Sequence, residues 1–175
     1  LILLVLLVPT NVFAISADTH PGNIGHWPLD EISGKIANDI SSHGNNGTLV
    51  NDPTWSNGKI DGGLRFDGVN DSVAIKNLNV NNAAGAHNTV CFLMYWDGTI
   101  KQMAYGWNNG YDLFFSFTMF GFNTGAGDVV GIPHAGLENR WVHVAAVFVN
   151  GTPDVNNVKL YIDGVKQNLT RYNNR

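Results

Sequence analysis

The stretch WVHVAAVFV, residues 141–149, carries a single polar side chain, His143. A short run that is apolar toward both sides reads as a central β-strand held between two layers. Residues 89–96, TVCFLMYW, have the same character, and the two runs together supply the expected core. Beyond them KLYIDGVKQNLT, residues 159–170, alternates Leu160 and Ile162 with Tyr161 and Asp163. Asp163-Gly164 then offers the positive-φ pair that a two-residue hairpin turn requires. Leu64 and Phe66 alternate with Arg65 and Asp67, and Val73 and Ile75 resume the pattern after Gly68–Asp71, which predicts a second hairpin.

Elsewhere apolar residues recur at period two or in short runs, between turns rich in Gly, Asn and Asp, and no segment has the periodicity of an amphipathic helix. Asp-Gly pairs at 61, 67, 97 and 163 each stand beside such a run and mark chain reversals. GFNTGAGDVVG, residues 121–131, reads as the loosest part. With no interdomain linker in view, the expectation is an all-β chain folded as one sandwich of two antiparallel sheets.

The opening residues LILLVLLV have the length and apolarity of the hydrophobic region of a secretory signal peptide, well short of the roughly 20 residues that span a bilayer. Val12-Phe13-Ala14 suits cleavage after Ala14. The expected organisation is a leader over 1–14 lacking its basic front, a lead-in over 15–23 and one domain over 24–175. Ten Lys and Arg, spread singly in a chain of net charge −4, give no electrostatic footprint for nucleic acid or an anionic membrane. Cys91 is the one cysteine, so no intramolecular disulfide can form, and its setting in TVCFLMYW is that of a small buried hydrophobe.

Two groups of residues carry a resemblance. GHWPLDEISGKIANDISSHGNNGTLVNDPTWSNGKIDGGLRFDGVNDSVAI, residues 25–75, holds a W-x-L-D strand, a polar Asn-Asn-Gly loop, then G-L-x-F-D-G and V-x-I. RWVHVA at 140–145 and KLYIDG at 159–164 form the second signature. The chain resembles bacterial laminin G-like modules of the concanavalin A-like lectin and glucanase superfamily. That resemblance implies a jelly roll whose later strands close a sheet beside His26 and Trp27. Residues 165–175 then supply at most one return strand. The expectation is a chain lacking its closing strands, with an uncovered edge and exposed apolar side chains where they belong.

Within these signatures the residues have structural readings: Trp141 as a core aromatic, His143 as a hydrogen-bonded core residue, Asp39 as the staple of its own loop. Calcium recurs in laminin G-like domains, and the resemblance therefore adds a second reading. Asp39 and Asn45 from one loop, with Asp67 and Asp71 from another, would supply oxygen ligands if the loops met. The six histidines have no zinc-binding spacing.

Glycosidases of this superfamily present paired carboxylates on one strand, yet the chain has two Glu, Glu31 and Glu138, far apart in sequence. There is no G-x-S-x-G elbow and no phosphate loop. Recognition without catalysis is the expected function. YGWNNGYD, residues 105–112, offers the ring faces and amides of a sugar site, with Tyr105, Trp107, Asn108, Asn109 and Tyr111 as ligand-binding residues. The partner would be a glycan or an extracellular protein, met by one secreted or surface-displayed module of a larger polypeptide. The alternatives are an adhesion or spacer module without a glycan ligand and, behind it, a fragment of a secreted glycoside hydrolase.

Overall fold

Period-two alternation becomes strand throughout the chain. The computed structural model describes residues 2–5, 22–107 and 112–173. Among these there is no helix, and so none long and apolar enough to cross a membrane. The strands are antiparallel, as in a β-sandwich, and the chain divides into two compact units, Leu1–Val80 and Asn81–Arg175.

In the first unit β1 (Ile2–Val5), β2 (Ile36–Ala37), β3 (Gly47–Val50), β4 (Thr54–Asn57), β5 (Gly62–Arg65) and β6 (Ser72–Ile75) form two groups. β5 pairs with β4 on one side and β1 on the other, with Leu4 opposite Leu64. β3 pairs with both β2 and β6. Ile2–Val5 lies inside the expected leader, whose remainder over 6–14 is outside the described residues. The hairpin expected from Leu64 to Ile75 is not formed. β5 and β6 belong to different groups, because alternation fixes which face a residue takes but not which strand it joins.

Leu29, Ala37, Leu49 and Leu64 are buried here. Gly62 shows why two of the sequence signatures occur together. A Cβ on it would stand 2.6 Å from the Leu29 carbonyl oxygen, while its own N–H donates to Asp30 Oδ1 at 2.9 Å. The W-x-L-D segment thus lies directly against the strand that opens G-x-L, and only glycine permits the approach.

The second unit holds β7 (His87–Trp96), β8 (Gln102–Gly106), β9 (Asp112–Phe115), β10 (Met119–Asn123), β11 (Asp128–Pro133), β12 (Trp141–Val149), β13 (Lys159–Ile162), β14 (Val165–Lys166) and β15 (Thr170–Asn173). One of its sheets runs β14-β13-β12-β7 and the other β15-β11-β10-β9-β8. β12 and β7 are the predicted central strands, paired from Trp141↔Tyr95 to Val149↔His87. Their residues Val142, Val144, Ala146 and Phe148, with Phe92, Met94 and Trp96, are buried against the other sheet. Trp96 stacks on Phe115 at 4.0 Å between centroids, and Phe115 on Phe120 at 4.4 Å. Phe148 meets Phe122 edge-on at 4.9 Å. Truncating one of these rings to Ala costs about 3–5 kcal/mol.

Asp163 and Gly164 have φ of 51° and 80°, the pair of positive values expected of a two-residue hairpin turn, and join β13 to β14. The segment after that turn departs from expectation. β14 is two residues long with Val165 64% exposed, and Thr170–Asn173 then forms β15 against β11, with Val130 opposite Arg171. Residues 165–173 therefore supply a return strand to one sheet and a further strand to the other. Residues 121–131 are not loose either. Gly121 and Gly131 are register partners in buried strands, and a Cβ on Gly121 would stand 2.5 Å from Gly131 Cα. These glycines serve close packing rather than mobility.

Candidate functional site

The Asp39 carboxylate is 8% exposed and fully engaged. Oδ1 accepts from the N–H of His26 at 2.8 Å and of Ser41 at 2.9 Å, and Oδ2 from Ser41 Oγ and the Asn45 N–H, each at 2.8 Å. Burial by itself raises the pKa of this group. The hydrogen bonds from His26, Ser41 and Asn45 outweigh it and hold the carboxyl below its ordinary value. Asn45 in turn donates to the Ile24 carbonyl, and its own carbonyl accepts the Trp27 indole N–H at 2.8 Å. Asp39 and Asn45 are thus one staple, as the structural reading of the loop expected.

Asp67 makes a second, separate staple. Its Oδ1 accepts from Val69 at 2.8 Å and Asn70 at 3.2 Å, and its own N–H donates to Asp71 Oδ2 at 2.9 Å. The Val69 bond leads the contacts that hold its carboxyl low, against a smaller opposing effect of burial. The loop with Asp39 enters β3 at Gly47, whereas the loop with Asp67 and Asp71 enters β6 at Ser72. Gly47 faces Ile75 and Val50 faces Ser72, so the two loops leave opposite ends of the ladder. Three residue steps separate those ends, about 10 Å along the strands. The fold does not bring the four candidate calcium ligands together. Among the described residues no group of three or more His, Cys, Asp or Glu is placed to hold a metal ion.

Of the residues in the expected sugar site, Asn108, Asn109 and Tyr111 lie outside the described residues. Tyr105 and Trp107 are half-buried. A register shift lies between Met103 and Tyr105, just ahead of that segment. The Tyr105 ring packs on Phe148 at 5.7 Å, and burial pushes its hydroxyl pKa up. Its ring is occupied by the core.

The indole N–H groups distinguish another surface. Trp27 donates to Asn45 O, Trp55 to Gly34 O at 2.9 Å and Trp96 to Thr99 O at 2.7 Å, so all three are built into the framework. Trp141 is half-buried, and its N–H has no acceptor among the described residues. This differs from the core role expected of it, where the N–H finds a partner. His143 differs likewise. Its backbone N–H donates to Asp163 Oδ1 at 2.9 Å and its carbonyl accepts the Asp163 N–H, while its imidazole makes no hydrogen bond among the described residues and acts on Asp163 through charge alone.

Both side chains lie on the face of β12 opposite Val142 and Val144. Register places Tyr95 beside Trp141, Leu93 beside His143, and Cys91 and Tyr161 on either side of Ala145. Tyr95 and Trp141 meet edge-to-face at 5.9 Å and 67°. All these residues are half-buried except Leu93, which is buried, and burial raises the Cys91 thiol pKa. The result is a strip with aromatic rings at both ends, the small residues Ala145 and Cys91 as a floor, and an imidazole between. From Tyr161 to Cys91 it spans two strand spacings, about 10 Å. The rings offer faces to C–H groups, and the indole, phenol and imidazole groups offer hydrogen bonds.

The hairpin turn fixes one end of this strip. Asp163 Oδ2 accepts from Arg140 Nη1 at 2.8 Å while Oδ1 holds His143. Burial raises the Asp163 pKa, but Arg140 and the His143 N–H outweigh it and keep the group low. The chain's two Glu are employed in loops: Glu31 Oε1 accepts from Asn38 N and Nδ2, and Glu138 from the Gly136 N–H. The strip was obscure in the sequence because Trp141 and His143 sit in a run that looks apolar on both faces. The signal was their shared parity on one strand, two residues apart. Scans with models of known families and searches of characterised proteins and of solved structures find no match to this chain.

Proposed function

We propose that this chain is a non-catalytic recognition module of laminin G-like jelly-roll type, carried on a secreted or surface-displayed protein, and that it takes a carbohydrate chain on the strip formed by Tyr95, Trp141, His143 and Tyr161. The observation that carries the reading is the indole N–H of half-buried Trp141, which has no acceptor among the described residues, in a chain where Trp27, Trp55 and Trp96 each donate to a backbone carbonyl. A sugar ring stacked on an aromatic face leaves hydroxyls at the height of such donors. The strip is built on regular strands held by the Arg140–Asp163–His143 contacts, so its geometry is set before a ligand arrives.

A glycan array probed with the purified chain, followed by titration of the best oligosaccharide against tryptophan emission, tests the reading. Trp141→Ala is expected to weaken binding at least tenfold. Trp141→Phe, which keeps a ring and removes the N–H, is expected to fall between the two. Unchanged affinity in Trp141→Ala for every array hit would overturn the site and favour an adhesion or spacer module with no glycan ligand.

A further inference from the structure

A groove of about 460 Å³ opens in the second unit at the far side of the Asp163-Gly164 turn. Its floor is made by Ile132, Leu137 and Ile162, each less than a tenth exposed, and Val165 stands as an exposed wall. Arg140 and Lys166 line it, and the carboxylates of Asp163 and Glu138 stand behind the lining, on Arg140 Nη1 and the Gly136 N–H. Arg140 is fixed by three contacts, Nε to the Gly136 carbonyl at 2.7 Å and Nη1 to Asp163 Oδ2 at 2.8 Å and to the Trp141 carbonyl at 3.5 Å, and its Nη2 has no acceptor among the described residues. The Lys166 ammonium likewise has no partner among them.

The backbone adds a directional element. Ile162 pairs with Val165 across the two-residue turn, and Gln167 N–H donates to Leu160 O, so the intervening Lys166 turns its own N–H and C=O away from β13. β14 is the outermost strand of its sheet in this unit. The groove therefore combines an apolar floor, a guanidinium nitrogen with no acceptor among the described residues and an outward-facing strand segment, while Lys166, opposite Tyr161, sends its side chain to the other face of the sheet.

The geometry points to a binding site for the free C-terminus of a partner polypeptide that ends in an apolar residue. The terminal carboxylate meets Arg140 Nη2, the last side chain covers Ile132, Leu137 and Ile162, and the peptide backbone runs beside β14. A peptide is favoured over a sugar because no aromatic ring lines the groove, so a pyranose has no face to stack on. The size lies within the range of small-ligand sites, about 300–1,000 Å³. This site is separate from the strip that carries Trp141 and does not depend on it.

Fluorescence anisotropy with a labelled hexapeptide ending Leu-Val tests the assignment, using the free acid and the C-terminal amide. The free acid is expected to bind saturably and the amide at least tenfold more weakly. Val165→Asp changes an exposed side chain and is expected to weaken binding at least tenfold with the melting temperature unchanged. Trp141→Ala is expected to bind the peptide as the wild type does, which separates this site from the proposed glycan strip. Equal affinity for acid and amide, absence of saturable binding, loss of peptide binding in Trp141→Ala, or displacement by glucuronate as effective as by unlabelled peptide would each overturn the proposal.

Discussion

Replacing Asp39 by Ala removes the acceptor of four hydrogen bonds, three from backbone N–H groups and one from Ser41 Oγ. Bonds to a charged acceptor contribute about 1.5–3 kcal/mol each, but the sum overstates the effect because donors released at the margin of the unit recover water. The expected cost at pH 7 is about 3 kcal/mol, near the upper end of single substitutions. Asp39→Asn retains an oxygen for two of the donors and turns an amide N–H toward the Asn45 N–H, so it should lose roughly half as much. Urea unfolding followed by tryptophan emission measures both, since the Trp27 indole is bonded to the same loop. The pH dependence gives an independent check. The folded-state pKa of Asp39 is lowered, so its contribution is complete above the unfolded value, about 3.9, and is lost as pH falls through the folded value. The gap between wild type and Asp39→Ala should therefore close in acid. A loss below about 0.5 kcal/mol at pH 7, or a gap that does not change with pH, would refute the assignment of Asp39 as the staple of this loop.

Gly131→Val should yield no soluble folded protein, because its side chain would enter the space of Gly121; a wild-type melt would contradict the close approach of these strands. Any rise in melting temperature with millimolar calcium should be abolished by Asp39→Ala or by Asp67→Ala but not by both, as the loops leave opposite ends of the β3–β6 ladder. Loss in both variants would place the four ligands in one site. Arg140→Gln should cost no more than about 1 kcal/mol, since the ion pair with Asp163 is nearly half exposed on each side, and a double-mutant cycle with Asp163→Asn measures it. Cys91 should react with a thiol reagent at pH 8 more slowly than free cysteine, and at the free rate in urea, because burial raises its pKa in the folded chain.

Strand content, the two central strands and the Asp163-Gly164 turn were legible because each is a local property: period-two alternation, a continuous apolar run, a positive-φ pair. Pairing is not local. Leu64 and Val73 show the right alternation for a hairpin, yet their strands take different partners. Of the four Asp-Gly pairs, those at 61 and 163 turn hairpins, whereas those at 67 and 97 lead to strands of different groups. Glycine composition misled at 121–131, since the same residue type serves mobility and tight packing, and only the Gly121↔Gly131 register tells which. The proposed strip was hidden for a related reason. Trp141 and His143 are spaced as core residues would be, and their exposure depends on what lies over that face of the sheet.

The β7–β12 ladder has a mechanical meaning for a module exposed to tension. Nine residue pairs, Trp141↔Tyr95 through Val149↔His87, lie in continuous register. A load applied along the strands must slide the whole ladder and breaks its bonds together, whereas a load applied across one end peels them singly. At the Trp141 end the Asn139 N–H donates to the Trp96 carbonyl at 2.7 Å, so peeling from that side meets this bond before the first ladder pair. Resistance to force in this unit should therefore depend on the direction of pull more than on the strength of any single contact.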